Sequence, residues 1–136
     1  MRDLVYFGHL ILGISVVVAS FLVIRGIKTK ASWVKPLSAL TATISWLLLL
    51  PSSILYITFY PATKTLVKAG SWPWAHSIIM ETKEHWGILL PLFVTVAALM
   101  VYNGKTEESK KWWILILVVS VLIAVMGRII KMGALA

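Results

Sequence analysis

The chain has 136 residues, of which 60% are hydrophobic and 13% are charged, and its formal net charge is +8. Soluble domains carry about 25% charged residues, so this composition excludes an ordinary soluble domain and predicts a protein of the lipid bilayer. The chain offers no soluble basic surface that could bind nucleic acid. The positive charge is explained by the orientation of the loops relative to the membrane and by attraction to anionic lipid. The absence of cysteine excludes thiolate metal sites, disulfide exchange and all-cysteine iron–sulfur clusters.

Four apolar runs are long enough to cross a membrane, which requires roughly 20 mostly apolar residues. They cover residues 4–27, 36–60, about 77–102 and 112–130. The first run does not resemble a cleaved signal peptide, because it is long and its basic cluster follows it. The sequence therefore predicts an all-α integral membrane protein, a four-helix up-down-up-down bundle that forms one domain over residues 1–136.

Two short basic loops, residues 26–35 and 103–111, predict that the helices pair as two antiparallel hairpins. Each hairpin starts with a histidine and has a tryptophan at the start of its second helix, which suggests a two-helix repeat. The connector between the hairpins, residues 61–76, is longer. We expect it to lie along the outer surface, with Trp72 and Trp74 in the headgroup layer.

Basic residues predict the orientation, because Lys and Arg in short loops stay in the cytoplasm. Seven of the thirteen basic residues lie in or beside the hairpin loops: Arg25, Lys28, Lys30, Lys35, Lys105, Lys110 and Lys111. The other six are nearly as many, but several lie within helix ends. We predict a multi-pass protein of the plasma membrane with both termini outside.

His9 lies at the start of the first helix, on a face that also holds Gly13, Val16 and Ser20. Ionisable side chains near hydrocarbon are costly and are candidates for function. Gly13, one turn below His9, would leave room for a flat ring. Alternatively, Gly13 and Ser20 would form a small-residue contact between helices.

The second helix carries hydroxyl side chains on one face: Ser38, Thr41, Ser45, Ser52 and Tyr56. We expect this face to turn inward, either as packing between helices or as a polar conduction path. Pro51 removes a backbone hydrogen bond and is expected to kink the helix in its outer half. Ser52 and Tyr56 would then lie close to the histidines.

His85 lies at the start of the third helix, on the same predicted side of the membrane as His9. Glu81, one turn before His85, would hydrogen-bond the imidazole as carboxylates often do around ligating histidines. Equally, Glu81 and Glu84 fit the solvated first turns of a protruding helix. In the fourth helix, Arg128 would snorkel outward, pair with one of these glutamates, or bind an acidic ligand.

The pair His9 and His85 resembles the ligand pattern of minimal four-helix membrane b-type cytochromes of the cytochrome b561-like kind. The resemblance implies one haem b near the outer face, held by both imidazoles and surrounded by Gly13, Tyr56 and Arg128. The second and fourth helices contain no histidine, so the chain departs from members with two haems. A single outer haem would pass electrons between a quinol and a redox partner protein, or serve as a subunit of a respiratory complex.

His76 offers an alternative to this ligand pair. On a continuous helix it points away from His85, but a turn at Pro73 would bring it inward, where it would replace His85. Three imidazoles, together with Glu81 or Glu84, would also suit a copper or zinc ion: His9, His76 and His85. Each histidine also fits an interfacial hydrogen-bonding role without any ligand.

Three classes of function therefore stay open. A haem-binding electron carrier would have oxidoreductase-type electron transfer as its only enzymatic activity. A small oligomeric transporter or channel would use the hydroxyl face and Arg128, although no acidic residue lies in the middle of a span. An accessory structural subunit of a larger membrane complex would explain the lack of a soluble domain.

Overall fold

The computed structural model describes residues 1–136, which form helices joined by short turns and no strand. There are five α-helices: α1 Arg2–Thr29, α2 Val34–Ile54, α3 Tyr60–Ala69, α4 Glu81–Tyr102 and α5 Thr106–Leu135. Two π-helical segments, Leu55–Phe59 and Ala75–Met80, continue α2 into α3 and lead into α4. Four continuous helical runs are long and apolar enough to cross a membrane: Arg2–Thr29, Val34–Ala69, Ala75–Tyr102 and Thr106–Leu135. The predicted all-α arrangement with four spans is confirmed.

The second span extends well past its predicted end. The sequence predicts a helix end at residue 60 and a connector over 61–76, whereas the helical run continues to Ala69. Pro61 falls in the first turn of α3, where its missing N–H costs little. The helix departs from α-geometry at Leu55–Phe59, one turn after Pro51. Only residues 70–74 separate α3 from the next helical run.

The long helices form a square bundle. α1 packs against α2 and α5, and α4 packs against the same two helices, so α1 and α4 are diagonal in the bundle. The turns at residues 30–33 and 103–105 lie at one end of the bundle, as the predicted hairpins require. Ser71 Oγ donates to the carbonyl oxygen of Ala136 at 3.2 Å, so the turn at 70–74 and the end of α5 lie together at the other end.

Small hydroxyl side chains lie on the inward faces of the bundle. The hydroxyl residues Ser38, Thr41 and Ser45 are fully buried, which confirms that their face turns inward. Each donates its hydroxyl hydrogen to a carbonyl of its own helix. These satisfied hydroxyls favour helix packing over a conduction path. The outward faces are large and apolar, as hydrocarbon requires.

Gly26 permits the tightest approach in the bundle, where α1 meets the start of α2. A Cβ at this position would lie 2.6 Å from Val34 Cγ2 and 2.7 Å from the Trp33 ring. Carbon atoms do not approach this closely, so only glycine lets the first hairpin close as it does.

We predict that Gly26→Ala destabilises the bundle by about 1–3 kcal/mol, because the added methyl pushes Val34 and Trp33 away from α1. Gly87→Ala is the matched control, since a Cβ there meets nothing within 4 Å. Thermal unfolding in detergent measures both, and Gly87→Ala should be neutral or slightly stabilising because alanine is the better helix former. Equal melting temperatures for the two variants would contradict the close packing at Gly26.

Candidate functional site

A cavity of about 500 Å³ opens at the end of the bundle that holds Arg2 and Leu135. All four helical runs contribute to its wall. Its apolar wall comes from residues such as Leu55, Phe59, Leu66, Met80 and Ile130. Its polar and charged residues are Arg2, Asp3, Tyr6, His9, Ser52, Tyr56, Tyr60, Thr63, Lys83, Glu84 and Lys131. A mostly apolar cavity with a few converging polar groups is typical of a small-molecule site.

The two π-helical segments shape this cavity. Leu55, Tyr56 and Phe59 come from the first segment, and Met80 ends the second. A π-turn holds more residues than an α-turn, so it shifts the side chains that follow it around the helix axis. π-helical turns are rare and are frequently found at functional sites.

His9 is the only histidine that lines the cavity. It lies near the N-terminal end of α1, on the face that also holds the buried residues Val16 and Ser20, so the predicted face is confirmed as inward. Its Nδ1 lies 2.9 Å from Ser52 Oγ. Tyr56 lines the same cavity, which confirms that Ser52 and Tyr56 lie close to this histidine.

The hydrogen bonds around His9 assign its tautomer. Ser52 Oγ donates its one hydrogen to the Leu48 carbonyl oxygen at 2.7 Å, so it accepts the hydrogen bond from His9. In a neutral His9 this arrangement puts the hydrogen on Nδ1 and a lone pair on Nε2. No protein group hydrogen-bonds Nε2, which is free to accept a hydrogen bond or to ligate a metal.

His85 lies elsewhere. The predicted face through Glu81, His85, Ile88 and Val96 exists, but it is the outward face of α4, on which His85 and Ile88 are exposed. The Nδ1 atom of His85 lies 2.6 Å from the backbone carbonyl oxygen of Glu81, so the Glu81 carboxylate does not orient the ring. The structure therefore does not bring His9 and His85 together across the bundle.

The inward face of α4 carries Lys83 and Glu84 instead. Lys83 Nζ lies 3.4 Å from a Glu84 carboxylate oxygen, the one ion pair in the chain. The predicted partner, Arg128, is exposed and pairs with neither glutamate. Its neighbours Gly127 and Lys131 line the cavity in its place.

Gly13 also lies outside the cavity wall. A Cβ on Gly13 would meet nothing within 4 Å, so the small-residue helix contact does not form there. Ser20, on the same stripe, is fully buried and donates to the Val16 carbonyl oxygen at 2.7 Å.

His76 turns inward, as the alternative assignment anticipates, but it meets a tyrosine rather than the other histidines. Its Nδ1 lies 2.9 Å from the Tyr60 hydroxyl, and both residues are buried. Tyr60 in turn stacks on Tyr56, with ring centroids 5.5 Å apart and an interplanar angle of 14°. No three His, Asp or Glu side chains lie close enough to hold a metal ion, so the predicted three-histidine copper or zinc site is not formed.

The sequence analysis missed Tyr60 and Lys83 as site residues, and it named Glu84 only as a possible metal ligand or partner of Arg128. Tyr60 continues the inward spacing of Ser52 and Tyr56 by one more turn, but the proline that follows it suggests a helix end. Lys83 and Glu84 directly precede His85 and lie on the opposite face of the same helix, which the sequence pattern does not mark as inward.

Comparisons with protein-family models, with curated proteins and with solved structures gave no match to this chain. The resemblance to cytochrome b561-like proteins therefore stays a prediction. The chemistry of the residues around the cavity supplies the basis for a functional assignment.

We predict that Tyr60→Phe destabilises the protein by about 1–3 kcal/mol, because it leaves the buried His76 imidazole without its partner. Tyr56→Phe is the control, since it retains a stacked ring and the Tyr56 hydroxyl makes no hydrogen bond within the protein. Denaturant or thermal unfolding measures both. A double-mutant cycle with His76→Phe should show a coupling energy, and purely additive losses would contradict the pairing.

Proposed function

We propose that the cavity binds the headgroup of a membrane quinol or quinone, and that the chain is a quinone-binding subunit of a membrane electron-transfer system. The observation that carries this proposal is the state of His9. Its Nδ1–H is held by Ser52, and its Nε2 lone pair is left in a mostly apolar cavity. A quinol hydroxyl is a complementary donor, and a protonated His9 would in turn donate to a quinone carbonyl.

The shape and polarity of the wall support a flat amphiphilic ligand. A quinol ring is apolar on its faces and polar at two opposite edges. The stacked rings of Tyr56 and Tyr60, with Phe59 beside them, offer aromatic surface for the faces. The aliphatic residues of the wall suit the tail of the ligand: Leu55, Leu66, Ile130 and Leu135.

Oxidation of a quinol releases two protons and two electrons. His9 Nε2 would accept the first proton, and the carboxylate of Asp3 or Glu84 in the cavity wall would accept the second. The electrons would pass to a partner redox protein, with which the bundle would form a complex. We propose that this cavity faces outward from the plasma membrane, because the lysine-rich hairpin turns lie at the opposite end.

Haem b is the second candidate ligand. Two-imidazole ligation by His9 and His85 does not fit the present arrangement, because His85 faces outward from α4. Ligation of a haem by His9 alone fits better, because an imidazole whose Nδ1–H is hydrogen-bonded and whose Nε2 is free is in the form that binds iron. When bound, the haem would supply one-electron chemistry to the same cavity.

A binding measurement tests the quinol proposal. Titrating the detergent-purified protein with a short-chain quinone, followed by tryptophan fluorescence, should give saturable binding. His9→Leu should weaken binding about tenfold, because a ligand polar group loses its partner in an apolar site. Ser52→Ala should weaken quinone binding less than His9→Leu does, because the imidazole remains but loses the hydrogen bond that orients it. His85→Leu is the control and should bind like the wild type; equal losses in the two histidine variants would contradict the site.

The visible spectrum of the same protein, before and after dithionite, decides between the two ligands. A Soret band that His9→Leu abolishes and His85→Leu preserves would favour a haem ligated by His9 alone. Loss of the band in both variants would favour ligation by both imidazoles. A colourless protein that binds the quinone would retire the haem candidate.

A further inference from the structure

The end of the bundle opposite His9 carries a second cleft of about 320 Å³. It lies between the turn that joins α1 to α2 and the first turn of α5. Its polar side chains are Lys30, Ser32, Lys35, Thr106 and Glu107. It shares no residue with the cavity around His9.

The charges of this cleft favour an anion. Neither Lys30 nor Lys35 forms an ion pair, since the one ion pair in the chain joins Lys83 and Glu84. Lys35 Nζ is held 4.8 Å from the centroid of the Tyr102 ring. Glu107 is the single carboxylate in the lining, against two ammonium groups. Five more basic residues lie on the helix ends and turns at this end of the bundle: Arg25, Lys28, Lys105, Lys110 and Lys111.

The position of the cleft at the ends of the membrane helices favours a lipid as the ligand. Trp33 and Tyr102, at adjoining helix ends, are 43% and 47% exposed. Exposed tryptophan and tyrosine at the ends of membrane helices lie at the headgroup level. The floor of the cleft is apolar, formed by Ile27, Val34 and Val101, and it suits the glycerol backbone and first methylene groups of a phospholipid.

We propose that this cleft binds the headgroup of an anionic phospholipid. The phosphate would lie between the Lys30 and Lys35 ammonium groups, with the hydroxyls of Ser32 and Thr106 as further donors. Anionic lipids are concentrated in the cytoplasmic leaflet, where the lysine-rich end of the bundle belongs by its charge. The lipid site is independent of the quinol site at the other end.

The backbone conformation of Lys30 allows its side chain to be removed without strain. Lys30 stands directly after α1 with φ 54° and ψ 39°, in the left-handed region. Glycine is the preferred residue at such a helix end, because a Cβ is strained there. Lys30→Gly therefore removes one ammonium group of the proposed site without weakening the fold.

The experiment measures lipid binding to the detergent-purified full chain by native mass spectrometry, together with melting temperature. Phosphatidylglycerol should bind and raise the melting temperature, while phosphatidylcholine and inorganic phosphate should do neither. Lys30→Gly and Lys35→Gln should each weaken phosphatidylglycerol binding about fivefold. Without lipid, Lys30→Gly should melt at or above the wild-type temperature.

Lys111→Gln is the matched control, because Lys111 is exposed at the same end of the bundle but does not line the cleft. It should bind phosphatidylglycerol like the wild type. If Lys111→Gln loses as much affinity as Lys30→Gly, the attraction is diffuse and the cleft is not the site. Equal stabilisation by inorganic phosphate would identify a free anion as the ligand and overturn the lipid proposal, as would failure of phosphatidylglycerol to bind.

Discussion

Every backbone N–H and C=O group at the depth of the hydrocarbon needs a partner inside the protein, and this constraint governs the rest of the structure. Of 112 backbone hydrogen bonds, 98 lie within helices. Buried hydroxyls obey the same rule, because Ser20, Ser38 and Ser120 each donate to a carbonyl one turn earlier in their own helix. The bundle is therefore held by close packing of small and β-branched side chains, and polar groups that face one another across helices are few.

Three hydrogen bonds join side chains of different helical runs; Trp46 Nε1 donates to Thr95 Oγ1 at 3.0 Å between α2 and α4, and the other two lie at one end of the bundle. His9 meets Ser52 there, and Tyr60 meets His76. Both contacts adjoin π-helical segments, where the chain leaves α-geometry without leaving the helix. The altered turns open a cavity beside these residues, so the same irregularity that loosens the packing also provides room for a ligand.

The two ends of the bundle offer different chemistry. At the His9 end, an imidazole and stacked tyrosines meet apolar wall residues, which suits a flat ligand that is polar at its edges. At the other end, two unpaired lysines above an apolar floor suit a phosphate group with an apolar extension.

The sequence by itself determined the four spans, the two hairpins, and the inward faces of α1 and α2, because hydroxyl groups and His9 mark those faces against aliphatic ones. Only the tertiary structure decided the rotation of α4, which turns Lys83 and Glu84 inward and His85 outward. Hydrocarbon is as apolar as the bundle core, so the spacing of apolar residues does not reveal which face of α4 is buried. The pairing of Tyr60 with His76 likewise depends on a helix that continues past Pro61 and on a π-turn, neither of which has a periodic signal in the sequence.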